Sequence, residues 1–150
     1  MKKMLGAIVI ALAFVCAANA QSVEKITEII DSQETTFGQA SYLALSYSEK
    51  IDEDASYQDA LQTAVELGWV KDGAEANSSL NLKEYSALCV KAAGMKGGLF
   101  YKLTKAPRYA FKELKALGFL DKEADPWKKI SGQDAVNLFN VCVNYAEASK

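Results

Sequence analysis

The chain has 150 residues, half of them hydrophobic, and a formal charge of −2: enough to bury one sizeable core, and short for more than one domain. Its 17 basic and 19 acidic side chains give no broad basic excess, which argues against nucleic acid as a partner. Histidine is absent and there are three cysteines, so neither an imidazole base nor a His-containing metal set is available; with no Gly-x-Ser-x-Gly elbow or glycine-rich phosphate loop, the expectation is a non-enzyme without cofactor or metal.

Residues 1–20 read as a secretory signal peptide. Lys2 and Lys3 make a positive start, Met4 to Val15 is an apolar run too short to span a bilayer, and Ala18-Asn19-Ala20 supplies small side chains for cleavage before Gln21. Cys16 follows Val15, which is bulkier than a lipid-attachment motif carries there, so lipidation is disfavoured. The expected destination is the periplasm or the cell surface. Without the two leader lysines the mature chain, Gln21 to Lys150, carries a net charge of −4.

The mature chain opens with Val23, Ile26, Ile29 and Ile30 on one face of a short helix. Ser32 to Thr35 connects it to a helix from Phe37 to about Lys50, rich in Tyr42, Leu43, Leu45 and Tyr47. Asp52, Glu53 and Asp54 then form an acidic turn. Twelve residues counted from Asp52 end on Thr63, where a calcium loop needs a bidentate Glu, so these acids read as a solvated helix start. Tyr57 to Val70 and Pro107 to Leu120 are amphipathic helical patterns that close alike, on Leu67-Gly68-Trp69-Val70 and Leu117-Gly118-Phe119-Leu120. After each comes a loop, then a second helix: Tyr85, Leu88, Cys89 and Ala92 form one apolar stripe, and Ala135, Leu138, Phe139 and Cys142 another.

The second helices share a start signal. Thr36 and Gln39, Asn81 and Glu84, and Ser131 and Asp134 each have the spacing of a capping box, in which the first side chain accepts from the third backbone N–H of the helix and the second reaches back. The three lie 45 and 50 residues apart, and thirteen residues separate Gly68 from Asn81 and Gly118 from Ser131. A period near 50 holding two helices predicts an all-α fold of about six helices in three helix-loop-helix repeats, at about 21–50, 57–95 and 107–147.

A helix closing on Gly and two aliphatic residues, a loop of about a dozen, a Thr-Arg-Ala-Glu start and a second helix describe the S-layer homology (SLH) repeat, which this chain resembles over Tyr57 to Met95 and Pro107 to Tyr145, with Val23 to Lys50 as a shortened copy. The resemblance implies one pseudo-threefold helical domain that attaches to the cell envelope by holding anionic cell-wall polymer or peptidoglycan. The family's motif arginine is replaced by Phe37, Leu82 and Gly132, so only the capping role carries over. A structural or adaptor role, with an envelope protein as partner, is the alternative that this departure favours.

Binding candidates come from elsewhere in the chain. Gly94 to Lys115 contains Lys96, Lys102, Lys105, Arg108, Lys112 and Lys115 with Glu113 as its only acid, interleaved with Phe100, Tyr101, Tyr109 and Phe111. Tyr101, Lys102, Lys105 and Arg108 are the candidate ligand contacts, since a guanidinium fork and lysines suit carboxylate or phosphate. In the other arrangement Leu99, Phe100, Leu103, Tyr109 and Phe111 pack inward and the cations are merely a solvated face. Trp127 is a candidate for stacking on sugar, as is Trp69, although a tryptophan here can equally cover the end of a helical core. Cys89 and Cys142 sit on apolar stripes of matching helices and can be a disulfide or two buried thiols.

Overall fold

The computed structural model describes residues 22–150; the expected signal peptide, its expected cleavage point and Cys16 lie outside them. The described chain is all-helical: α1 over residues 22–31, α2 Phe37–Tyr47, α3 Tyr57–Glu66, α4 Leu82–Ala92, α5 Leu99–Thr104, α6 Pro107–Ala116 and α7 Gly132–Ala148. Extended pairing among the described residues amounts to two isolated bridges, Thr36 with Ser79 and Asn81 with Lys129. No described helix is long and apolar enough to cross a membrane.

Helix starts and stops follow local chemistry. Thr36 and Asn81 accept from the N–H groups of Gln39 and Glu84, whose side chains return to the cap N–H, while Ser131 Oγ accepts from Asp134 N–H at 3.2 Å. Ser56 and Asp59 make a further box at the start of α3, with the same spacing as Ser131 and Asp134. Helices α3, α4 and α6 stop alike. Gly68, Gly94 and Gly118 turn left-handed, and the next N–H (Trp69, Met95, Phe119) reaches back to Ala64, Val90 and Leu114. Helix α2 closes the same way with Glu49 at φ 53°, a left-handed position without glycine and hence without a sequence signal.

Three inner helices form the centre. Helix α4 packs on α2, α6 and α7, with Tyr85, Leu88, Cys89 and Val90 fully buried, and α2 rests on α3. Tyr47 of α2 meets Phe139 of α7 edge to face at 5.4 Å and donates to Glu147. The inner helices bury wide apolar surfaces, while α3 and α6 bury only Ala60, Leu61 and Ala64, and Ala110, Phe111 and Leu114.

The cap segments also tie to one another. The Phe37 and Gly38 N–H groups donate to Ser78 and Ala76; those of Leu82 and Lys83 donate to Lys128 and Pro126; Gly132 N–H donates to Ser32. Leu80 N–H donates to Thr35, and Thr35 N–H to Ile130. Each segment thus bonds the next and the last returns to the first, closing a ring. Thr35, Leu80 and Ile130 are all buried within it.

Gly132 is required by this closure. A Cβ there would land on the Ile29 backbone carbonyl, which cannot turn aside, and beside the Ser32 hydroxyl. Gly132→Ala is expected to cost about 2–3 kcal/mol, as overpacking does, and to lower the melting temperature by roughly 5–10 °C. The adjacent exposed change Gln133→Ala should stay within about 0.5 kcal/mol of wild type in the same melts.

Cys89 on α4 and Cys142 on α7 are both fully buried and stand unbridged in this structure. Burial, then the neighbouring thiol, pushes the Cys89 thiol well above its ordinary range. Alkylation of the native reduced protein near neutral pH, followed by mass spectrometry, should run at least about 100-fold slower than after unfolding.

Candidate functional site

The segment between α4 and α7 is anchored at its entrance. Gly97 takes φ 62°, Gly98 N–H donates to Glu113 Oε2 at 3.0 Å, and α5 follows. Helix α5 stops at Lys105, which is left-handed (φ 55°), and Pro107 occupies the first turn of α6, where its missing N–H costs nothing. Glu113, the sole acid of the segment, is thereby engaged at the entrance and is absent from the wall of the groove described next.

Helix α6 buries Ala110, Phe111 and Leu114 and so turns Arg108, Lys112 and Lys115, at i, i+4 and i+7, toward another face. Pro126 and Trp127 approach that face from the loop before α7, held by the Lys83 N–H bond to the Pro126 carbonyl (3.0 Å) and by Trp127 N–H donating to Asp125 Oδ1 (2.9 Å). The result is a groove of about 420 Å³ lined by Lys83, Arg108, Phe111, Lys112, Lys115, Pro126 and Trp127, with no carboxylate in its wall. Lys83 Nζ lies 3.2 Å from the Trp127 ring centre, a cation on an aromatic face, yet Trp127 remains 66% exposed. A groove with four cations and an apolar floor is suited to holding an anion that also carries an apolar or ring face.

Of the residues singled out from the sequence, the structure brings Arg108 and Trp127 together in this groove. Lys102 and Lys105 are exposed outside it, with Lys105 Nζ 5.2 Å from the Tyr101 ring. Tyr101 is corrected outright: it is 3% exposed, its hydroxyl has no protein partner, and burial raises its phenol above the ordinary range, so it is a core residue and not a surface contact. The inward-packing arrangement holds for Phe111 and partly for Tyr109, but Leu99, Phe100 and Leu103 point outward. Lys112 and Lys115 had a usable signal in their helical spacing from Arg108. Lys83 had none, because only the contact between α4 and the later loop brings it there.

Two larger clefts occupy corresponding places. One, of about 630 Å³, is lined by Leu82, Phe119, Leu120, Ala124, Asp134 and Leu138 among others; the second, of about 520 Å³, by Phe37, Trp69, Val70, Ala74, Glu84 and Leu88. Phe37 and Leu82 each put an apolar side chain into one of these clefts, beside charged groups that also line them. The larger one also carries Asp121, Glu123, Asp125 and Asp134 against Lys128 and Lys129, which disfavours an anion. Trp69 is half-buried against the core, with Lys50 Nζ 5.9 Å from its ring and Lys91 Nζ donating to the Gly68 and Trp69 carbonyls. It covers the end of the core, and Trp127 is the exposed tryptophan.

The local charge around Trp127 has a direct readout. At low ionic strength iodide should quench Trp127 fluorescence several-fold more strongly than caesium does, and salt at about 0.5 M should shrink the difference. Trp127→Phe should abolish it, leaving the weaker response of Trp69.

In comparison with known proteins, the chain matches no family model, no curated protein and no solved structure at a significant level.

Proposed function

We propose that this chain is an exported, non-catalytic binding module of the bacterial cell envelope, built on an SLH-like pseudo-threefold scaffold of three helix-loop-helix repeats, that holds anionic cell-wall polymer or peptidoglycan. The observation that carries the reading is the groove of Lys83, Arg108, Lys112 and Lys115 around exposed Trp127, with no acid in its wall. Cations gather a polyanion and the ring offers a face on which a sugar stacks. The scaffold part of the reading draws support from the cap segments, which bond in a ring, and from the paired clefts at matching positions. Export rests on the leader-like residues 1–20.

With the motif arginine positions filled by Phe37, Leu82 and Gly132, anion contact has moved to a neighbouring groove. The same replacement favours a second reading, an adaptor for an envelope protein, in which the apolar clefts hold a polypeptide. The two part in a pull-down of the chain from Gln21 onward on purified sacculi, with and without attached polymer. Retention is expected that falls with salt, drops at least about tenfold in Arg108→Glu/Lys112→Glu and drops several-fold in Trp127→Ala. Unimpaired retention of the charge-reversal variant removes the groove from the account. No retention at low salt, with a protein crosslinked to the chain in cells, transfers the function to the adaptor reading.

A further inference from the structure

Helix α5 is amphipathic in the opposite sense to a helix that packs on a core. Tyr101 is its only buried side chain, whereas Leu99, Phe100 and Leu103 are 76%, 63% and 80% exposed. At i, i+1 and i+4 these three share one side of the helix, away from Tyr101. Phe100 is braced from behind by Tyr109, stacked at 5.5 Å between ring centres. An aromatic and two leucines held in water on one helical turn carry a hydration cost that nothing within the fold relieves.

Their surroundings indicate what relieves it. Lys96 precedes the turn, Lys102 lies on it and Lys105 ends it, all exposed, and Arg108 and Lys112 flank the Tyr109 ring at 5.9 and 5.8 Å. The one acid in the segment from Gly94 to Lys115, Glu113, accepts from the Gly98 N–H. An apolar tip with a cationic collar is complementary to an interface that is apolar inside and negatively charged at its surface. Lysine stems can extend along the apolar region while their ammonium groups stay among the headgroups. A protein partner would need a shaped recess for three outward side chains, whereas a fluid acyl layer adapts to them.

We propose that α5 is a membrane-surface anchor that inserts Leu99, Phe100 and Leu103 into a bilayer of anionic lipid, with Lys96, Lys102 and Lys105 at the headgroups. The three inserted side chains and their lysines lie outside the groove at Trp127, with Arg108 and Lys112 on the border between the two surfaces. It would hold the module against a membrane while the groove engages its own ligand.

The test is co-sedimentation of the chain from Gln21 onward, which contains every described contact and omits the apolar leader, with vesicles of phosphatidylglycerol and phosphatidylcholine or of phosphatidylcholine alone. Binding is expected to the anionic vesicles, at least tenfold weaker to the neutral ones. Leu99→Ser/Leu103→Ser should lower it tenfold or more with an unchanged melting temperature, and Lys102→Glu/Lys105→Glu likewise. Trp127→Ala should leave vesicle binding intact, and the serine variant should leave sacculus binding intact, so failure of either surface is seen separately. Absence of binding to anionic vesicles at low salt overturns the proposal. Binding that survives the serine substitutions also overturns it, because charge alone then accounts for the attraction, as does equal binding to neutral vesicles.

Discussion

The fold depends on a ring of backbone hydrogen bonds among the three cap segments. Each helix N-terminus has orphan N–H groups, and in α2, α4 and α7 the first of these do not go to water. They go to carbonyls of another segment: Phe37 to Ser78, Leu82 to Lys128, Gly132 to Ser32. The side-chain caps Thr36, Asn81 and Ser131 satisfy the next donors from within, so buried helix starts are left with partners on both sides. The arrangement fixes where the inner helices point, and their apolar stripes then meet as a consequence. Gly132 shows how tight the closure is, since the chain returns to Ile29 and Ser32 with no room for a methyl group.

The ring also sets which side chain stands beside each cap. The residue after each cap lies in a cleft or a contact, and its chemistry decides what the cleft can hold. Phe37 and Leu82 each put an apolar side chain into a cleft, and Gly132 has no room for a side chain. Positive charge is concentrated instead on α6, one side of which is buried, so that Arg108, Lys112 and Lys115 must share the other. Lys83 joins them because its own N–H is bound to Pro126 in the ring, which brings the start of α4 beside Trp127. The scaffold contact and the charge cluster are therefore one event.

Helix α5 belongs to neither system. It hangs on the Gly98–Glu113 bond and on Tyr101, and its remaining apolar side chains face outward. A six-residue helix gains little from its own hydrogen bonds, so its survival with an exposed apolar side reflects anchoring at both ends: Gly97-Gly98 at the entrance, Lys105 and Pro107 at the exit.

Much was legible in the sequence because it is local. Apolar spacing at helical period identified α1, α2, α3, α4, α6 and α7; the cap signals located the starts of α2, α4 and α7, and the ends of α2, α3 and α6 came three or four residues earlier than the patterns suggested. Glu49 was not legible, because a left-handed glutamate gives no compositional sign, and α5 was not, because six residues are too few to show a period. The candidate site was half legible. Arg108 and Trp127 could be named from charge and exposure-prone context, but Lys83 and the burial of Tyr101 could not. By itself the sequence determined where helices start and stop and which side chains are cationic; only the tertiary structure decided which cations meet, which aromatic is core and which apolar turn is left in water. Those outcomes depend on contacts between segments 20 to 100 residues apart, whose energies no local pattern encodes.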